Sequence, residues 1–239
     1  MSGETSKNTT ALFHLQKNGM DKYMQVLFAG QKGRTFYAGE APPSNTAPPV
    51  YRNSPTPAVV CRQQGEAWTR PFVAIYEPFE GAEHYSVRKI EMGSMPGDPD
   101  FTTLSVYCRD GSRQVILQSA DYNKPKQTKT WKFEGAFGVI NLVNDQPRYL
   151  YLGYGSEIKY GKYGVKMKQP GAMNLAIESN TLQISCNEDG EIIIPKGGQA
   201  AAMLTDGQVR KKLVMKKTVE GISFIVPPVK GGVIQFDIR

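Results

Sequence analysis

The chain has 239 residues, of which 40% are hydrophobic and 21% charged, and its formal net charge is +7. That balance supports a packed core and excludes wholesale disorder, and no apolar run approaches the ~20 residues that cross a bilayer as a helix. The excess of 29 Lys and Arg over 22 Asp and Glu fits either a soluble basic surface or an anionic partner, and charge alone does not separate the two.

Alternating apolar and polar residues predict strands along the whole chain. Tyr23–Phe28 reads as a strand, Gly30–Gly33 as a turn and Arg34–Ala38 as the hairpin partner. Ala41–Pro57 holds six prolines and reads as a long surface crossing, because proline cannot donate to a ladder. A strand ending at Val59–Cys61, a tight polar connection and a buried strand over Phe72–Tyr76 follow. Leu104–Cys108 and Arg113–Ser119 flank Asp110-Gly111, a strong hairpin signal. Further strands are predicted over Thr130–Phe133, Phe137–Val143, Tyr149–Gly153, Gly164–Gln169, Ala172–Ser179, Thr181–Asn187 and Glu191–Pro195. Ala200–Thr205 admits one short helical turn between glycines. Lys212–Lys217, Gly221–Val226 and Gly232–Asp237 close the chain as strands, with Arg210–Lys217 read as one strand with charged ends. The prediction is an all-β antiparallel sandwich over 1–160 and a smaller C-terminal β-sheet region over 161–239.

Few residues suggest chemistry. There is no CxxC, and the histidines are His14 and His84, so no zinc site and no cofactor is expected. Asp98 and Asp100 sit in a predicted turn and are too few for a calcium site. Cys61, Cys108 and Cys186 are odd in number and widely spaced; Cys61 and Cys108, in apolar-alternating segments, read as buried free thiols, with a Cys61–Cys108 disulfide left open. Glycine-rich stretches lack P-loop spacing, and there is no GxSxG. His14 and His84 read as surface histidines, with general-base work as the sharper alternative. The strongest binding signal is the interleaving of Tyr and Lys after residue 149. Tyr151, Tyr154, Lys159, Tyr160, Lys162 and Tyr163 offer rings to stack on sugars and ammonium groups to hold acidic substituents. The same recipe serves single-stranded nucleic acid. A structural reading stands beside both, in which the tyrosines pack their rings and hydrate their hydroxyls.

Val60–Phe79 (VCRQQGEAWTRPFVAIYEPF) holds the most specific pattern, in Arg62, Gln63, Gly65, Glu66, Trp68, Arg70, Pro71, Glu77 and Pro78. Together with the preceding proline-rich stretch and the strand MQVLFAG, it resembles the late β-region of heparinase II/III-like polysaccharide lyases. The resemblance implies a supersandwich-like fold with a small C-terminal β-sheet region, and gives those nine residues a structural role. It also implies that an α/α toroid, which comes first in that family, is missing from this chain. Members cleave uronic-acid polysaccharides by β-elimination, which needs a base, an acid for the leaving oxygen and neutralisation of the carboxylate. Most of those groups lie on the toroid, so no catalytic residue is assigned here, and His14 is at most a lone contribution from the sandwich. The expected role is a C-terminal β-module that acts as scaffold or acidic-glycan contact, without catalysis of its own. The alternatives are a freestanding carbohydrate-binding sandwich and a small all-β lyase. The expected partner is an acidic polysaccharide, with no nucleic acid and no membrane insertion. The resemblance implies a periplasmic or secreted location, although Met1–Thr10 lacks the apolar run of a signal peptide.

Overall fold

The computed structural model describes all residues except 1, 44, 45, 47, 50, 51, 54, 67–70, 96, 179, 180, 196–201 and 237–239, and it is all-β. The chain divides into two compact units, Met1–Met92 and Gly93–Arg239. The expected division at 160/161 falls at a tight turn inside the second unit.

The first unit holds two three-stranded antiparallel sheets. In one, β1 (Ser2–Glu4), β4 (Arg34–Ala41) and β5 (Thr56–Gln63) run in the order β1-β4-β5; in the other, β2 (Thr9–Lys17), β3 (Met20–Phe28) and β6 (Ala74–Glu80) run in the order β2-β3-β6. The β2–β3 hairpin closes through Asn18 (φ 54°) and Gly19 (φ 74°), the two positive φ values that a type I′ turn requires. Between the two sheets lies an open apolar cleft of about 550 Å³, lined in part by Phe13, Phe36, Ala38 and Val59. Buried apolar side chains are few, among them Val26, Leu27, Ala29 and Phe36, so polar anchors matter. Arg34 is buried and donates to the carbonyl oxygens of Ala29 and Pro71 and to the side-chain oxygens of Gln31 and Gln63. Glu77 accepts from the Ser86 hydroxyl and amide, the Val87 amide and the Gln25 side chain. Burial pushes its carboxyl up, but these donors outweigh it and hold the group below its ordinary value. Five of the nine resemblance residues, Arg62, Gln63, Pro71, Glu77 and Pro78, thus sit in ladders or polar anchors. Trp68 and Arg70 lie outside the described residues.

The chain passes into the second unit through β7 (Val87–Met95). There, β8 (Asp98–Cys108), β9 (Ser112–Ser119), β10 (Lys126–Gln127), β11 (Trp131–Val143), β12 (Gln146–Tyr160), β13 (Tyr163–Ile177) and β14 (Thr181–Cys186) follow in turn. Next come β15 (Gly190–Ile194), β16 (Ala202–Asp206), β17 (Val209–Leu213), β18 (Met215–Lys217), β19 (Ile222–Val226) and β20 (Val229–Phe236). They form one continuous antiparallel sheet folded back on itself as a sandwich. One layer runs β17-β16-β20-β14-β13-β12-β11-β9-β8, and the other is built from β10, β15, β18 and β19 with the opposite halves of β11, β12 and β13. The three long strands therefore belong to both layers.

Their bends coincide with register shifts at Gly135 and Gly155. A Cβ on Gly155 would lie 2.3 Å from the Glu134 carbonyl oxygen, and one on Gly135 would lie 2.6 Å from that of Tyr154. The predicted breaks within β11, β12 and β13 are thus bulges that bend a strand without ending it. Two other expectations are corrected. Ala202–Asp206 is strand β16, with no helical turn, because its backbone groups pair with both β17 and β20. Lys212–Lys217 is not one strand, since the chain parts at Val214 and β17 pairs with β16 while β18 pairs with β19.

Between the layers lies a contiguous core that includes Phe101, Leu117, Phe133, Ile140, Leu150, Leu152, Ile158, Val165, Leu175 and Phe224. Phe101 spans it, with its ring 5.7 Å from Trp131 and 6.3 Å from Phe133. At the same end Lys126, 1% exposed, pairs with Asp98 at 2.5 Å. Asp98 opens strand β8, and the Lys126 ammonium beside it holds its carboxyl below the usual range. The depressed folded-state value means that this stabilisation is present above the unfolded carboxylate range and is lost as pH falls through the folded value.

Two outcomes are expected. Gly155→Ala lowers stability by about 1–3 kcal/mol through overpacking of the bulge, visible as an earlier urea midpoint. Lys126→Met leaves the buried Asp98 with only the Lys124 ammonium, 3.5 Å away, and lowers stability by less than the roughly 3–5 kcal/mol that a fully unpaired buried charge costs. Adding Asp98→Asn recovers part of that loss and flattens the acid limb of the stability profile.

Candidate functional site

Strand alternation in β12 decides where the Tyr/Lys run goes. Leu150, Leu152 and Ile158 face the core, so Tyr149, Tyr151, Glu157 and Lys159 share the outward face of the strand. The bend at Gly155 sends that one face onto two layers. Of the six expected contact residues, Tyr151 and Tyr154 lie on the first layer, Lys159 lies on the second, and Lys162 lies in the β12–β13 turn. Tyr160 and Tyr163 are register partners whose rings pack against the core, and the Tyr160 hydroxyl accepts from Arg113 at 3.3 Å.

On the first layer the outward aromatics form a strip. The Tyr149 and Tyr151 rings are nearly parallel, 6.4 Å apart and tilted by 10°, and Phe137 stands edge-on to Tyr151 at 6.1 Å. Tyr154, 44% exposed, meets Tyr122 edge-on at 5.3 Å. Asn141 and Asn174 are the cross-strand neighbours of Tyr149 and Tyr151, and the buried Asn174 side-chain oxygen meets no hydrogen-bond donor among the described residues. Burial, reinforced by the adjacent Tyr151, pushes the Tyr149 phenol above its ordinary value, so it stays a neutral donor.

On the second layer a polar groove of about 450 Å³ runs over the sheet. Its floor follows from register: Lys132, Lys159, Gly164 and Ile193 form one cross-strand row, and Glu134, Glu157, Lys166 and Glu191 the next. Gly164 leaves the floor low between Lys159 and Ile193. One wall is the turn Thr128–Trp131, tied by the Thr128 hydroxyl oxygen, which accepts from the Thr130 and Trp131 amides at 3.2 Å each. That turn lifts Lys129 to the rim and places Trp131 at the end of the groove. Lys132 donates to Glu157 at 2.5 Å, and Lys159 pairs with Glu220. The Glu157 hydrogen bond outweighs burial, and Glu134 and Glu220 add to it, so the Lys132 ammonium titrates above its ordinary value. Among the described residues, Lys129 and Lys166 form no ion pair. The groove offers ammonium groups at strand spacing for carboxylates or sulfates, with hydroxyl and amide donors alongside.

Lys129, Trp131, Lys132, Lys166 and Glu220 were outside the expected set. Lys166 is legible once Tyr160 and Tyr163 are paired through the Gly161 turn. Lys132 is not, because its place depends on a β11–β12 pairing that crosses a bulge.

Both histidines lie in the first unit. His14 on β2 is exposed, stacks on Tyr23 at 4.5 Å and shares a 2.7 Å hydrogen bond with Asp21. His84 donates its backbone N–H to the Gly81 carbonyl in the turn after β6. Cys61, Cys108 and Cys186 are free thiols. Among the described residues, no group of three His, Cys, Asp or Glu side chains is placed to hold a metal, and no helix is long and apolar enough to cross a membrane.

Both surfaces fall largely in one stretch of sequence with known relatives. Residues 86–177 match the family described as the endo-acting ulvan lyase C-terminal domain. An endo-acting ulvan lyase of Formosa agariphila is 28% identical over 149 residues, which cover 60% of this chain and 18% of that protein. The chain is similar to the C-terminal domain of a polysaccharide lyase. It matches less than a fifth of that relative's length. The segment Arg62–Pro78 precedes the stretch matched by the family.

Tyr149 is expected to resist alkaline titration. Ultraviolet difference spectra of wild type and Tyr149→Phe should show its phenolate forming above pH 10, and Tyr151→Phe should lower that midpoint.

Proposed function

We propose that this chain is the C-terminal β-module of a heparinase II/III-like polysaccharide lyase, and that it holds acidic glycan while another domain carries out β-elimination. The observation that carries the reading is the coincidence of the similarity with the surface: residues 86–177 include Lys129, Lys132, Lys159 and Lys166 of the groove and Phe137, Tyr149 and Tyr151 of the strip. A polyanionic sugar chain needs cations at repeated spacing and flat apolar faces for its rings, and these strands supply both.

In this reading the two surfaces divide the work. The lysines attract and register the acidic groups, an interaction that added salt weakens because the ammonium groups are partly solvated. The tyrosine strip takes the apolar ring faces, and Asn141 and Asn174 offer amides to hydroxyls; salt affects this part little. The relative is named for action on ulvan, so ulvan is the first ligand to test, with alginate as a second acidic chain. In a lyase that works on such chains the module would sit outside the cytoplasm. His14 with Asp21 is exposed on the first unit and is given no catalytic role.

Affinity electrophoresis through gels containing ulvan or alginate tests the reading. Retardation is expected at low salt and falls as salt rises. The triple variant Lys132→Ala/Lys159→Ala/Lys166→Ala should weaken low-salt binding roughly tenfold, and Tyr149→Ala/Tyr151→Ala should remove most of the salt-resistant remainder. Incubation with either polysaccharide should yield no unsaturated-uronate absorbance. Robust product formation, or no retardation in any gel, overturns the proposal.

A further inference from the structure

The lysine groove carries an anion of its own. Glu220 sits on the turn between β18 and β19, and its carboxylate lies on the Lys159 ammonium. The backbone of that turn is fixed without it: the Thr218 amide donates to the Gly221 carbonyl at 2.8 Å, and the Gly221 amide donates to the Thr218 hydroxyl oxygen at 3.1 Å. The neighbouring Val219 is fully exposed, so the turn stands out into solvent. Lys159 itself is mostly covered, at 19% exposure against 46% for Glu220. The mobile partner in this pair is therefore the carboxylate. The second pair in the groove differs. Glu157 is buried at 10% exposure and locked to Lys132, so separating those two would strand a buried charge.

We infer that Glu220 is a displaceable internal counterion, whose carboxylate occupies on Lys159 the place that a carboxylate or sulfate of an acidic glycan takes when the chain binds. The inference rests on the reading of the groove as an acidic-glycan contact and names how that contact is regulated. An ion pair whose carboxylate is open to solvent can exchange one anion for another. When Glu220 swings away, Lys159 turns from a neutralised side chain into a ligand donor between Lys132 and Lys166. The ligand must outcompete a carboxylate tethered beside the site, so only a chain that engages several cations at once gains enough to displace it. Single small anions do not. Glu220 thereby raises the threshold for binding and discriminates polymeric acidic ligands from monovalent ones.

The test compares wild type, Glu220→Gln, Lys159→Ala and the double variant on ulvan and alginate at low salt, with thermal midpoints measured to confirm folding. Gln keeps the size of the side chain and leaves the Thr218 turn intact. Glu220→Gln should bind roughly two- to fivefold more tightly than wild type, and Lys159→Ala should bind more weakly. The gain from Glu220→Gln should shrink markedly in the Lys159→Ala background, leaving only its weaker action through Lys132; an undiminished gain overturns the inference. If Glu220→Gln binds no better than wild type while Lys159→Ala weakens binding, Glu220 is not a competitor, and the glycan reading survives without it. If wild type and all three variants fail to bind either polysaccharide, the reading of the groove fails and this inference falls with it.

Discussion

Where β11 and β12 cross from one layer of the second unit to the other, their backbones approach so closely that neither Gly135 nor Gly155 has room for a Cβ. The rest of that unit depends on this contact. It lets a single pair of long strands bend around the core, with Leu150 and Leu152 closing one half and Phe133 and Ile158 the other. Both halves keep the same strand face outward, so the bend distributes that face over two layers. The tyrosines before Gly155 become one surface and Glu157 and Lys159 after it become another. A straight β12 would lay tyrosines and lysines in one row. The folded one separates a ring-stacking strip from a charged groove, and a long polymer could meet both only by following the curve of the sheet.

Charge is buried in two different ways, and the difference bears on what each unit tolerates. In the second unit Asp98 and Lys126 neutralise each other across the sandwich. In the first unit Arg34 is buried among neutral oxygens, and burial pushes its guanidinium below the usual value while the Cys61 side opposes that shift. Each acceptor compensates part of the lost hydration, which explains why Gln63 and the Pro71 carbonyl sit where they do. Gln63, the Pro71 carbonyl and Glu77 thus belong to two polar anchors of this small unit, one around Arg34 and one around the Glu77 carboxylate.

Much of the fold was legible from local signals. Alternation located most strands, and Asp110-Gly111 marked its hairpin. The misses have physical causes. β2 is hard to read because ALFHLQ lacks strict alternation, although Asn18-Gly19 marks its turn. The breaks expected within β11, β12 and β13 came from reading glycine as punctuation, when Gly135 and Gly155 serve close approach instead. Around β16 the alanine-rich sequence favours helix locally, and pairing with β17 and β20 overrides that preference. The candidate site was half legible. Tyr151, Tyr154 and Lys159 face outward as expected of contact residues, while Tyr160 and Tyr163 pack inward. Lys129, Lys132 and Glu220 come from three separate elements, and only non-local pairing brings them to the same groove.

The groove also shows why a net charge of +7 says little by itself about partners. Lys132 and Lys159 each lie against a carboxylate, so the surface is not a patch of bare cations awaiting any polyanion. In the proposed reading, binding there would be an exchange, in which a ligand replaces an internal partner and gains only the difference. Salt weakens the internal pair and the ligand contact together, so the net effect depends on how many contacts the ligand makes. Glu157 is itself buried and held on Lys132, whereas Glu220 is half-exposed and can turn away from Lys159 when another anion takes its place. Under that proposal, the selectivity of the groove would rest less on the number of its lysines than on which of their partners is free to move.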